Sequence, residues 1–144
     1  YELGFEAAVS EWLDEQIGQK HGIKTQFKDD GLPKPLEDDI RVLLFRNFRE
    51  LLINIVKHAD AHNVKVSISR ISDEICLRVE DDGIGFNPSE LASNAGFGIF
   101  SIRERLEQLS GYIEIKSEPG QGTKITMTAP LKCEEQSREN KLKS

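Results

Sequence analysis

Apolar positions recur at helical spacing in the opening stretch "YELGFEAAVSEWLDEQIGQKHG". Leu3, Phe5, Ala8, Val9, Trp12, Leu13 and Ile17 fall on one face, and Gly22 supplies a stop. "IKTQFK" then alternates as a short strand, and "DDGLPKP" breaks the chain with Gly31, Pro33 and Pro35. The longest helical pattern runs from Leu36 to Ala61. "VKVSISRI" and "EICLRVED" alternate apolar with polar around "SD", which predicts a hairpin. Asn87 to Ala95 carries no clear period, "GIFSIRERLEQLSG" reads as a helix between Gly98 and Gly111, and "YIEIKS" and "TKITMTAPL" are strands joined by "EPGQG". The order is helix, strand, helix, two strands, loop, helix, two strands. Such an order predicts a two-layer α/β (α+β) sandwich, a mixed sheet with helices over one face. No internal repeat is present.

Length and composition sharpen this picture. A chain of 144 residues with 38% hydrophobic positions suits one well-buried domain, expected over 1–131, with 132–144 as a charged tail expected to be disordered. The chain opens on Tyr1 inside an amphipathic pattern, as expected of a segment from a longer polypeptide. No stretch approaches the roughly 18 to 20 apolar residues of a membrane span. Cys76 lies in a strand pattern and Cys133 in the polar tail, neither at metal-ligand spacing, which fits a reducing, cytoplasmic setting. A net charge of −6 without a Lys/Arg block argues against a nucleic-acid partner.

Three stretches carry candidate chemistry. Along "LFRNFRELLINIVKHA", a rotation of about 100° per residue puts Leu44, Phe45, Phe48, Leu51, Leu52, Ile55, Val56 and Ala59 on one side. Glu50, Asn54, Lys57 and His58 line the other. Such a stripe suits a solvated face. It equally suits a carboxylate and an amide oxygen sharing a hard divalent ion, with Lys57 a turn further on for a phosphate. "VEDDGIGF" ends a strand on Asp81, a pure acceptor, followed by Gly83 and Gly85. A turn with bulge glycines and a backbone left bare for a flat ring are both compatible with it. "GFGIFS" sets Gly96 and Gly98 before a helix, which suits either a phosphate at the helix start or an ordinary cap. It fails as a dinucleotide fingerprint, since Ser101 stands where the third glycine belongs. "PGQGT" reads as a hairpin turn.

Taken in order, these stretches resemble the ATP-binding domain of sensor histidine kinases, members of the GHKL or Bergerat-fold ATPases shared with gyrase, the ninety-kilodalton chaperones and mismatch-repair ATPases. "RELLINIVKHA" resembles the N box, "VEDDGIGF" the G1 box, "GFGIFSIRERLEQLSG" the G2 box and "GQGTKITMTAPL" the closing strand, over Leu36 to Leu131. The likeness is nearest to the subgroup with Lys-His-Ala ending the N box and Arg-Glu-Arg after the G2 box, whose kinases feed response regulators. The resemblance implies ATP and Mg²⁺ as ligands. Asn54 would hold Mg²⁺ with Glu50 beside it positioning reactive groups, and Lys57 and His58 would reach the phosphates or the nucleotide edge. Asp81 would accept from the adenine amino group, with Gly83 and Gly85 letting the base lie against the backbone. Gly96 and Gly98 would hinge a lid formed by Phe86 to Ala95, and Thr123 would close the adenine side. Arg49 and Ser101 depart from the family's usual glutamine and glycine, and neither change removes a ligand.

The implied activity is γ-phosphoryl transfer from Mg-ATP to a histidine. Its partners would be the dimerisation and phosphoacceptor helices of the same kinase and, indirectly, a response regulator; neither nucleic acid nor membrane contact by this domain is expected. His21, His58 and His62 lack the His-Asp or His-Glu context of a phosphoacceptor, so the chain is expected not to phosphorylate itself. A serine kinase and anti-sigma factor of the same fold, and a nucleotide-free interaction module, are the alternatives.

Overall fold

The computed structural model describes residues 4–85 and 99–132. Helix α1 (Gly4–Trp12) passes directly into a π-helical segment, Leu13–Gln19, and strand β1 (Lys24–Asp29) follows. Helix α2 spans Asp38–His58, β2 Asn63–Ile71 and β3 Glu74–Asp81. Helix α3 (Ile99–Gln108), β4 (Tyr112–Ser117) and β5 (Thr123–Pro130) complete the elements of the described residues. The strands form one sheet in the order β1-β2-β3-β5-β4, in which β1 and β2 are parallel and every other pair is antiparallel. The mixed sheet and two-layer sandwich are therefore as expected.

Strand alternation decides which face is dry. Val64, Val66 and Ile68 of β2, Ile75, Leu77 and Val79 of β3, and Ile125, Met127 and Ala129 of β5 are all buried. They share one core with Leu44, Phe48, Leu51, Leu52 and Ile55 of α2, Ile102 and Leu106 of α3, and Val9, Leu13 and Ile17. Between these core positions the strands carry Lys65, Ser67, Arg78, Glu80, Lys124 and Thr126, none of them buried. Helix α2 thus lies with its apolar stripe on the sheet, and Trp12 packs edge-on against Phe48 at 5.5 Å between ring centroids.

The boundaries of α2 are narrower than Leu36 to Ala61. Glu37, at φ −62° and ψ 148°, is extended and caps the start, and Asp60, at φ 50°, ends the run after Ala59. The preceding loop is fastened by Lys34, whose buried ammonium donates to Asp29 (2.6 Å) and to the Leu32 carbonyl (2.9 Å). The first helix also departs from its even 3.6-residue reading. Leu13 and Ile17 still face the core, but they do so on a wider, i→i+5 turn. Between β2 and β3 the hairpin turns on Ser72 at φ 57°, and Ile71 pairs with Glu74, as "SD" suggests. Phe86 to Ala95, Gly96, Gly98, Cys133 and the tail lie outside the described residues.

Candidate nucleotide site

Position 81 continues the core-facing series 75, 77, 79 on β3, so the strand's alternation drives a carboxylate to the place of an apolar side chain. Register sets it between Val64 of β2 and Thr123 of β5. Asp81 is 8% exposed. Its Oδ1 accepts from the backbone N–H of Gly83 at 2.8 Å, whereas Oδ2 is buried and accepts no hydrogen bond from the described residues. Burial pushes the carboxyl above its ordinary value; the backbone N–H groups of Gly83 and, more weakly, Thr123 pull the other way, and the neighbouring Asp82 charge adds to the rise. A buried acceptor at the edge of a cleft is what a ligand amino group would satisfy.

Asp82 has the opposite task. Its Oδ1 accepts from the backbone N–H groups of His62 (2.9 Å) and Asn63 (2.8 Å), and its Oδ2 from the Asn63 side chain at 2.6 Å. Those bonds, the Asn63 side chain foremost, hold its carboxyl down at about 2. Asp82 therefore anchors the start of β2 to the end of β3.

The glycines of "DDGIGF" serve contacts within the protein. A Cβ on Gly83 would stand 2.1 Å from the Ala59 carbonyl oxygen, and one on Gly85, at φ +72°, 2.1 Å from that of Glu118. The Ile84 N–H donates to the same Ala59 carbonyl at 2.8 Å. Ala59 closes α2, so the loop after β3 is bolted to the end of the helix that carries the polar stripe. On the other side Gly120 donates to the Ile84 carbonyl at 2.5 Å, and Gly122, at φ +79°, has no room for a Cβ against the Asp81 carbonyl. The "PGQG" turn is thus more than a hairpin connection: its glycines form the second wall of the loop. Thr123 is buried, its hydroxyl 2.9 Å from that of Ser117.

On α2, Asn54 and Glu50 are half-buried and Lys57 and His58 exposed. Both lie in the last turn, where the Lys57 cation also suits the helix dipole. Arg49 lies off the stripe, its guanidinium 5.3 Å from the Phe45 ring centre. The sequence reading passed over two residues beside Glu50: Asn47, fully buried on α2, and Arg105, which reaches across from α3. The Arg-Glu-Arg signature was the one signal that could have flagged Arg105. A cleft of about 790 Å³ opens beside Asp81 and Asp82, with Asp14, Gly18, Lys24 and Asn63 in its walls. Residues of the α2 stripe do not line that cleft.

The family model for histidine kinase-, DNA gyrase B- and HSP90-like ATPases matches residues 39–133. The chain belongs to that family. It is 28% identical over 130 residues to the oxygen sensor histidine kinase NreB of Staphylococcus carnosus, covering 90% of this chain and 37% of that one. It is 32% identical over 114 residues to the histidine-protein kinase/phosphatase DegS of Brevibacillus brevis, covering 79% and 29%. The chain thus spans about a third of these curated relatives. Among solved structures, the Acinetobacter baumannii histidine kinase AdeS superposes with a TM-score of 0.73 at 18% identity, over 90% of this chain and 66% of that one. The catalytic domain of histidine kinase ThkA gives 0.71 at 17%, over 88% and 90%. These likenesses show the fold, and the family makes this chain an ATP-binding domain of the histidine-kinase-like type.

Proposed function

We propose that this chain is the catalytic domain of a two-component sensor histidine kinase, holding Mg-ATP for γ-phosphoryl transfer to a histidine on a separate phosphoacceptor domain. The observation that carries the reading is the buried, unfilled Oδ2 of Asp81. Adenine presents an amino donor where guanine presents a carbonyl acceptor. Two acceptors facing each other in a dry wall would both go unsatisfied, so ATP is selected over GTP.

The residues fit a metal that arrives with the nucleotide. No cluster of three or more His, Cys, Asp or Glu able to hold a metal ion exists among the described residues. Mg²⁺ needs no such cage, since it keeps waters and takes phosphate oxygens with one or two protein ligands. Asn54 is the natural protein ligand; Glu50, whose carboxylate faces Arg46 and Arg105, is better suited to orienting the acceptor. When bound, the metal neutralises charge on the transferring phosphoryl group. Lys57, one turn beyond Asn54, would supply positive charge toward the phosphates, and His58 would reach the phosphates or the nucleotide edge. Gly96 and Gly98 would supply backbone N–H groups ahead of α3, and Thr123 with Ser117 would close the adenine wall. The expected setting is cytoplasmic, with a response regulator as the eventual acceptor; no helix among the described residues is long and apolar enough to cross a membrane.

Calorimetric titration with Mg-ATP and Mg-GTP tests the reading, with labelled ATP then added in the presence and absence of a phosphoacceptor helix pair. ATP should bind and GTP should not, and label should appear on the supplied histidine and not on His21, His58 or His62. Equal binding of both nucleotides, or self-labelling of this chain, would contradict it.

A further inference from the structure

We infer that Arg105 is a positioning residue that fixes the direction of the Glu50 carboxylate; the inference rests on the reading of Glu50 as the acid beside the reacting phosphoryl group. Ile102 and Leu106 of α3 are buried in the core, and their register aims Arg105 at α2. One guanidinium nitrogen, Nη1, lies 3.3 Å from Oε2 and 3.4 Å from Oε1 of Glu50. The same nitrogen donates to Asn47 Oδ1 at 3.2 Å. Arg46 Nε approaches Oε1 from one turn away at 3.6 Å. Glu50 keeps 35% of its side chain exposed, so one flank is held while another remains open to a ligand.

Asn47 shows what this arrangement is for. It is 0% exposed, and its Nδ2 has no hydrogen-bond partner among the described residues. Turning the amide round would set an NH₂ donor against a guanidinium that has only donors. The amide oxygen must therefore face Arg105, and the buried NH₂ goes unsatisfied as a consequence. A leucine would fill such a place at less cost to stability, because an unpaired buried donor is penalised. What leucine would lack is the acceptor that holds Arg105 from behind. Asn47 and Arg105 are thus built to place Glu50 rather than to stabilise the fold.

The test supplies the phosphoacceptor helices in trans and measures Mg-ATP affinity and the transfer rate at saturating ATP separately. Arg105→Met should leave affinity within about twofold yet slow transfer by about tenfold or more, with Arg105→Lys recovering part of the rate. Asn47→Leu should melt no lower than the parent and still transfer more slowly, a split that a purely structural role would not give. Glu50→Gln combined with Arg105→Met should be no slower than Glu50→Gln alone, since both changes remove one device. Parental transfer rates in Arg105→Met, or multiplying effects in the double variant, would overturn the inference while leaving the function standing. A parent chain that binds no Mg-ATP, or binds it and transfers no label, would overturn the functional reading and this inference with it. Should Arg105→Met fail to fold, Arg105→Lys and Asn47→Leu decide the matter by the same readouts.

Discussion

Replacing Asp81 by asparagine removes one feature of the site at a time. The amide oxygen can keep the 2.8 Å bond from Gly83, while the oxygen that now lies buried and unfilled becomes an NH₂ donor. An adenine amino group would then meet a donor where it had met a carboxylate. A hydrogen bond to a charged group is worth about 1.5–3 kcal/mol, so ATP affinity should fall by roughly one to two powers of ten. Guanine would gain from the same change, because its carbonyl now faces a donor, and the preference for ATP over GTP should narrow from both sides.

Folding should not suffer. Asp81 is a carboxyl whose folded pKa lies above its ordinary value, so the folded chain binds that proton more tightly than the unfolded chain. Its charged form is a penalty on stability, present above the raised pKa and relieved as pH falls through it. A neutral amide is free of that penalty, and the variant should melt at or above the parent's temperature. Asp81→Ala, by contrast, also strips Gly83 of its acceptor and should lose about 1–3 kcal/mol. The assay is calorimetric titration of parent and Asp81→Asn with both Mg-nucleotides, beside thermal unfolding. ATP affinity within twofold of the parent, in a variant that melts normally, would refute the placement of adenine on Asp81.

Four further outcomes are expected. Gly83→Ala forces a Cβ onto the Ala59 carbonyl and should lower stability by about 1–3 kcal/mol or more, read by urea unfolding, and weaken ATP binding in step. Asp82, held at about 2, contributes stability above its ordinary value of 3.8 that is lost as pH falls through about 2; Asp82→Asn should flatten that acid limb in unfolding curves taken across the range. Leu52→Ala, at a fully buried position, should lose about 2–5 kcal/mol by the same measurement. Chelating Mg²⁺ should weaken ATP binding in the parent, and Asn54→Ala should erase most of the difference between the two titrations.

Much of the fold was legible because two periods carry it. Val64 to Ile68, Ile75 to Val79 and Ile125 to Ala129 alternate strictly, and the apolar side of α2 repeats every three to four residues. The order of strands in the sheet was not legible, since β5 lies between β3 and β4 and alternation does not say which neighbour a strand takes. The π-helical turn at Leu13 was hidden for a related reason: Leu13 and Ile17 satisfy an ordinary helical spacing as well as a wider one. Asn47 was passed over because the helical wheel sets it between Asn54 and His58, within the stripe that suits a solvated face. Only packing against α3 makes it interior.

The glycines of "DDGIGF" fit two physical accounts. Gly83 and Gly85 read as a backbone bared for a ring, yet the space each leaves is filled by a carbonyl of the protein itself. The requirement for glycine is the same in both accounts, so the sequence cannot separate them. The structural account has a consequence that the other lacks. Because Gly83 presses on Ala59, and Gly122 on the Asp81 carbonyl, the end of α2, the end of β3 and the β4–β5 turn form one rigid joint. Asp81 lies at one end of that joint and Asn54, five residues before Ala59, at the other. On the proposed reading, a nucleotide would span them, with its donor edge at Asp81 and its phosphates toward Asn54. Adding a methyl at Gly83, which meets Ala59 rather than Asp81, should therefore weaken ATP more than it weakens free adenine, because it shifts the end of α2 against the adenine wall. Equal weakening of both ligands would show that the joint serves the adenine wall alone.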